Sequence, residues 1–226
     1  MSPQDDRDHV DRLAAESIGS GDATGWFDAV YKAAESDASR IPWADEKPNR
    51  WLIEWLDREK PSAQGASAVV VGCGLGDDAE ELSRRGFEVT AFDISETAIG
   101  WAKRRFPDSQ VQYRTADLFG LPASFENAFD FVFEAYTLQP LPESVRSTAI
   151  SCVASLAAPG GTVLVVTRGR DDDEPLAEPP PWPLSKAELS VFEHAGLVLD
   201  TFEDYVDPDR DVPIRRFRVR YLKPLT

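Results

Sequence analysis

Residues 67–78 read Ser67-Ala68-Val69-Val70-Val71-Gly72-Cys73-Gly74-Leu75-Gly76-Asp77-Asp78. A short apolar run ends in three glycines at alternate positions, and two acids come next. The run is too short for a helix and suits a buried strand. Ala79, Leu82 and Arg85 continue at helical spacing, and Gly86 closes the helix. The glycines therefore stand in a strand-to-helix turn, where backbone can turn sharply and come close to a ligand. Alone, the same pattern also describes an ordinary tight turn.

The alternation repeats downstream. Phe87–Asp93 reads as a second strand, Ser95–Phe106 as a helix and Val111–Arg114 as a third strand ending near Asp117. Phe129–Phe133 is a fourth strand, Pro142–Ala158 a helix, and Thr162–Thr167 a fifth strand after the turn Pro159-Gly160-Gly161. Strands alternating with helices predict a parallel sheet covered on both faces. An acidic, proline-rich loop from Asp171 to Pro183 leads to a short helix (about Ser185 to Ala195) and two strands, 197–206 and 213–222. In the last, Phe217, Val219 and Tyr221 alternate with Arg216, Arg218 and Arg220, the period of an antiparallel strand with one wet face. The arginine row reads either as an anion site or as a solvated face paired with nearby acids such as Glu203 and Asp204. The expected fold is α/β: a doubly wound, Rossmann-like, seven-stranded sheet, mostly parallel with an antiparallel C-terminal strand, and helices on both faces.

Upstream, residues 1–22 are polar and acidic and read as a flexible arm. Residues 23–66 read as a helical lid segment, and 67–226 as the core domain. Trp26, Phe27, Val30 and Tyr31 share one helix face, and Trp51, Leu52, Trp55 and Leu56 share another after Pro48. Ile41-Pro42-Trp43 connects them. Trp51 and Trp55 read as packing residues, Trp26 and Trp43 as lid residues.

Composition removes several function classes. The 226 residues carry 24 Lys+Arg against 40 Asp+Glu, a net charge of −16. Such a surface repels phosphate backbones and anionic lipid, which argues against a nucleic-acid binder. Two cysteines, Cys73 and Cys152, and two histidines give no disulfide framework and no metal cluster, so no metal is expected. No apolar run is long enough to span a membrane. The amino end lacks the basic-then-apolar order of a secretory signal. The expectation is a cytoplasmic, reduced protein, monomer or homodimer, whose partner is a small molecule.

Two acids point to a nucleoside. Asp93 ends the second strand, beside the glycine loop. A carboxylate there can accept both hydroxyls of a ribose, or simply enter the next helix. Asp117, followed by Leu118, ends the third strand, where a carboxylate can take an adenine amino group or be a plain loop residue. Nicotinamide dinucleotides and S-adenosylmethionine both use this geometry. Dinucleotide binding favours Gly-x-Gly-x-x-Gly over a pyrophosphate. Here the spacing is Gly-x-Gly-x-Gly, and Asp77-Asp78 would repel a pyrophosphate. Paired carboxylates suit a phosphate-free ligand carrying a sulfonium and an ammonium.

Taken together, Val71-Gly72-Cys73-Gly74-Leu75-Gly76-Asp77-Asp78, Phe92-Asp93-Ile94-Ser95 with Ala98-Ile99, Ala116-Asp117-Leu118, Phe129-Asp130-Phe131-Val132 and Pro159-Gly160-Gly161 carry a resemblance. Over residues 67–168 the chain resembles a class I S-adenosylmethionine-dependent methyltransferase. More loosely, with Ile41-Pro42-Trp43 and Pro48, it is similar to the thiopurine, thiol and halide methyltransferase branch. The resemblance implies methyl transfer to a thiol, hydroxyl or other heteroatom of a small molecule, leaving S-adenosylhomocysteine. It implies that Gly72, Cys73, Gly74 and Gly76 line the methionine part of the cofactor. Asp93, with Ile94, would hold the ribose, Asp117 and Leu118 the adenine, and Glu134 would sit near the transferred methyl. Many members carry an acid two residues before the first glycine. Val70 stands there, which leaves backbone carbonyls near Gly72, or Asp77, for the cofactor ammonium.

Methyl transfer is an in-line displacement that needs alignment in a dry cleft. A hydroxyl acceptor needs a base and a soft anion does not. Glu134 and Tyr136 are the best-placed polar groups for catalysis. Trp43 would close over the cofactor. Trp26, Tyr31, Tyr136, Arg168 and Trp182 would face the acceptor. Arg168 could orient a carboxylate or pair within the acidic loop. A nicotinamide-dependent oxidoreductase and a non-catalytic S-adenosylmethionine-binding module are the alternatives. The fourth strand ends in Glu134-Ala135-Tyr136 rather than in an Asn/Asp-Pro-Pro-aromatic signature, which further weakens a DNA substrate.

Overall fold

Alternate residues of the first strand, β1 (Ser67–Val71), face opposite sides, and both sides are apolar and buried. A strand of this kind belongs in the middle of a sheet covered twice. The computed structural model, which describes residues 3–176, 180–207 and 213–225, places it there. Along the chain the elements are α1 (Pro3–Gly19), α2 (Trp26–Ala33), α3 (Arg50–Glu59), β1, α4 (Asp77–Arg84) and β2 (Glu88–Asp93). They continue with α5 (Glu96–Arg105), β3 (Gln112–Thr115), β4 (Phe129–Ala135) and α6 (Glu143–Ser155). The last are β5 (Ala157–Arg168), α7 (Lys186–Leu189), α8 (Val191–His194), β6 (Val198–Asp207) and β7 (Ile214–Leu222).

The sheet order is β3-β2-β1-β4-β5-β7-β6. Every pairing from β3 to β5 is parallel, and β7 runs antiparallel to both β5 and β6. The expected seven-stranded, mostly parallel sheet with one antiparallel C-terminal strand is borne out. Strand order reverses between β1 and β4, which opens a crevice at their carboxyl ends.

Val69, Val71, Val132, Val163, Val165 and Val219 form one apolar face under α6, α7 and α8. Ala68, Val70, Phe131, Phe133, Leu164 and Val166 form the other, under α3, α4 and α5. Trp55 stacks on Phe131 with centroids 5.4 Å apart, and Trp51 lies 4.2 Å from Tyr205, so both pack as expected. Phe133 is fully buried, and truncating such a side chain to alanine costs about 3–5 kcal/mol.

Three expectations are corrected. Residues 3–19 of the expected arm form α1. Val10 and Ala14, four residues apart, bury one helical stripe against α2, and Asp6 lies 3.5 Å from Arg40. The helix expected over 185–195 is two short helices that meet at Ser190. The supposed wet face of β7 is covered: Arg216 and Arg218 are buried. Arg218 pairs with Glu203 and donates to the Trp51 carbonyl at 2.9 Å, because α3 lies across this face. Glu203 does pair with the arginine row as expected, whereas Asp204 takes Arg215 instead, at 2.8 Å.

Candidate active site

A cavity of about 620 Å³ occupies the crevice, walled by the loops after β1, β2, β3 and β4 and by α2 and its following turn. Local bonds shape its floor. The Cys73 N–H donates to the Phe92 carbonyl at 2.9 Å, and the Gly76 N–H to the Cys73 carbonyl at 2.9 Å. Gly72 has φ +61°, and a Cβ there would stand 2.3 Å from Thr137 Oγ1. Gly76 has φ +94°, and its Cβ would meet the Tyr113 hydroxyl at 2.4 Å. Gly72, Cys73 and Gly74 line the cavity and Gly76 does not. The expected ligand role of Gly76 is therefore corrected: it starts α4 over Tyr113. Burial pushes the Cys73 thiol up, which keeps it protonated and unreactive.

Asp93 does two jobs. Its Oδ2 accepts from the Gly74 N–H and its Oδ1 from the Ser95 N–H, each at 2.9 Å. A carboxylate has about four acceptor sites, so capacity remains toward the cavity it lines, and burial raises its pKa. Ile94, Asp117 and Leu118 also line the cavity, and Asp117 Oδ1 accepts from the Phe119 N–H at 2.9 Å.

The two acids after Gly76 part company. Asp77 lines the cavity with its charge already paired, because Arg105 clamps it at 2.6 and 2.9 Å. Asp78 accepts only the Asn49 N–H, at 2.6 Å, and among the described residues no lysine or arginine pairs with it. Burial pushes Asp78 up to about 7, with Asp77 and Glu81 adding to the rise. It lines the cavity.

Glu134 is fully buried and lies behind the wall rather than on it. Its Oε1 accepts from the N–H groups of Thr137 at 2.7 Å and Leu138 at 3.0 Å. Oε2 is buried without a partner, and burial pushes the carboxyl up to about 7. The expected base is thus the clamp of the loop that carries Tyr136. Tyr136 itself has φ +63°, a left-handed conformation rare for a bulky residue, and it faces the cavity. Burial raises its phenol and keeps the proton on the hydroxyl.

On the lid side, Trp26, Tyr31 and Trp43 all line the cavity. Trp43 Nε1 donates to the Tyr31 hydroxyl at 3.0 Å, and its ring meets Trp26 edge-on at 5.9 Å. Arg168 lines the wall at β5 as expected. Trp182 does not: it is buried behind that wall, its N–H donating to the Gln139 carbonyl at 2.8 Å, and Pro180, Pro181 and Pro183 face the cavity instead. Sequence reading missed Asn49 and Thr137. For Arg216 it left a solvated face and an anion site open, because alternation shows which residues share a face but not whether a helix covers it.

Residues 68–161 match a family described as a methyltransferase domain. A ubiquinone biosynthesis O-methyltransferase from Azoarcus sp. (strain BH72) is 33% identical over 136 residues, which cover 58% of this chain and 57% of that protein. The chain thus spans little more than half the length of this curated relative. A chain solved in connection with conversion of a disulfide bond into a thioacetal group during echinomycin biosynthesis aligns with TM-score 0.71 at 21% identity, over 90% of this chain and 93% of that one. The Burkholderia thailandensis 1,6-didemethyltoxoflavin-N1-methyltransferase, solved with its substrate and S-adenosylhomocysteine, aligns with TM-score 0.69 at 17% identity, over 88% and 87%. Among the described residues no helix is long and apolar enough to cross a membrane.

Proposed function

We propose that this chain, whose residues 68–161 form a methyltransferase domain of the class I type, is an S-adenosylmethionine-dependent O-methyltransferase of a small-molecule acceptor. The observation that carries the reading is a pair of acids on the cavity. Asp78 and Asp93 both face it, and neither has a cationic partner among the described residues. Buried carboxylates left this way favour a cation and repel a diphosphate. That supports S-adenosylmethionine over a nicotinamide dinucleotide. Oxygen as the accepting atom is favoured by the O-methyltransferase relative, whereas the thiol and halide likeness rests on a looser sequence resemblance.

The cofactor would supply a methyl group on a sulfonium. This chain's residues then bind and orient. Asp93 holds the ribose while fixing the glycine loop. Asp117 and Leu118 take the adenine. Asp78 replaces Asp77 as the counter-charge for the ammonium. Glu134 holds the loop of Tyr136, whose hydroxyl and ring position the acceptor. Residues 23–66 act as the lid, with Trp43 and Trp26 excluding water, which strengthens every charge interaction inside.

Calorimetric titration with S-adenosylhomocysteine, NAD and NADP tests the donor. Binding of S-adenosylhomocysteine alone is expected. Dinucleotide binding without it would overturn the reading. Methyl transfer from labelled cofactor to phenol, thiol and amine acceptors tests the chemistry. Cofactor binding with no turnover on any of them would make the protein a binding module instead.

A further inference from the structure

We propose that the wall of the cavity built by β5 and β7 is an anion subsite in which Arg168 and Arg216 hold a carboxylate of an aromatic acceptor. The word acceptor rests on the methyl-transfer reading above; the subsite itself does not. Arg168 of β5 and Arg216 of β7 are directly paired across antiparallel strands. Such partners lie roughly 5 Å apart at Cα with side chains on one face. Both line the cavity.

Arg216 is the exception on its strand. Arg215 is bound by Asp204 and Asp171, Arg218 by Glu203, and Arg220 by Asp200 and Glu59. Arg216 is 5% exposed, and its Nε is buried with no hydrogen-bond partner. Among the described residues its nearest carboxylate oxygen, Asp207 Oδ2, stands 3.6 Å away, too far for a hydrogen bond. The same carboxylate lies 3.6 Å from Arg50, so it faces two guanidinium groups. Acids are not scarce in a chain with 40 of them. A buried guanidinium whose fork is left open is costly unless an anion arrives to fill it.

The surroundings select the anion. The Arg216 guanidinium lies 4.8 Å from the centre of the Tyr136 ring, which leaves a flat, aromatic corner. Planar forks match a planar carboxylate in two parallel hydrogen bonds. An aryl carboxylate satisfies both features.

The test uses the full chain saturated with S-adenosylhomocysteine and two probes, 3,4-dihydroxybenzoate and 3,4-dihydroxybenzamide. They share the ring and hydroxyls and differ in charge. Calorimetry is expected to give the carboxylate about tenfold tighter binding, as for a charge-assisted pair. In Arg216→Met and Arg168→Met that preference falls to about twofold or less, while S-adenosylhomocysteine affinity, which certifies the fold, stays the same. Arg216→Lys, which keeps the charge and loses the fork, gives an intermediate preference and covers the case of a Met variant that does not fold. Equal binding of the two probes, binding of neither, or a preference that survives both Met variants would overturn the proposal. If S-adenosylhomocysteine itself does not bind, the donor reading fails, and the same titration without it still decides the subsite.

Discussion

Two sets of opposite charge line the cavity, and they rest on different kinds of backbone. Asp78 lies in the first turn of α4 and Asp93 ends β2, and main-chain N–H groups hold both carboxylates. Arg168 and Arg216 sit on paired strands, and the latter is held by the Tyr136 ring. The acids are oriented by main-chain groups, Asn49 for Asp78 and Gly74 with Ser95 for Asp93. An arginine on a strand is oriented by whatever the sheet brings beside it. The acids stand in a motif legible in the sequence, whereas the pair of arginines exists only once the strands meet.

Two carboxyls raised by burial, Asp78 on the cavity and Glu134 behind its wall, give the largest expected effect. Asp78 and Glu134 are both pushed up to about 7. Between the ordinary carboxylate range and that value, the folded protein holds protons that the unfolded chain has released. Stability is therefore greatest at the acid end of that window. It falls across the window by up to about 1.4 kcal/mol per pH unit for each group and levels off above it. Denaturant titrations between pH 5 and 8 are expected to show this fall. Asp78→Asn and Glu134→Gln should each flatten it, and an unaltered slope in both would remove the burial argument.

Removing Asp93 separates the two sets most directly. Asp93→Ala leaves the Gly74 and Ser95 N–H groups unpaired and takes away the ribose acceptor. S-adenosylhomocysteine binding should weaken by about 1–3 kcal/mol, as for loss of buried polar contacts. Binding of a carboxylate probe at the arginine wall should change far less. Calorimetry of both ligands on one variant makes the comparison, and equal losses would mean that the two sets do not act separately.

Trp43 tests the proposed lid. It is 39% exposed at the rim, so Trp43→Ala removes cover without opening the core. The cost to stability should be below about 1 kcal/mol. Loss of the ring and of its bond to Tyr31 should still accelerate cofactor release, read by stopped-flow fluorescence. An unchanged release rate would relieve Trp43 of its lid role.

Most of the sheet was legible because its signals are local. Apolar runs bounded by glycine and aspartate marked β1 to β5, and the Gly72–Asp78 turn predicted both the crevice and its charge. The misreadings share a cause, which is that tertiary contact overrode local character. Residues 3–19 look like an arm until α2 offers Val10 and Ala14 a surface. Glu134 looks like a base until the fold encloses it. Asp77 and Asp78 are the same residue type in adjacent positions, and only the distant Arg105 tells them apart. The two readings of Arg216 part for the same reason, because its setting is made by β5, β6 and the loop of Tyr136 together.

The order of the last strands also bears on how the molecule is made. β7 lies between β5 and β6, although β6 precedes it in the chain. As synthesis proceeds, β6 leaves the ribosome before the strand it will pair with. During that wait its backbone edge is an open template for other chains. Asp200, Glu203 and Asp204 stud the segment with negative charge and discourage such mispairing until the arginines of β7 arrive to claim those same acids.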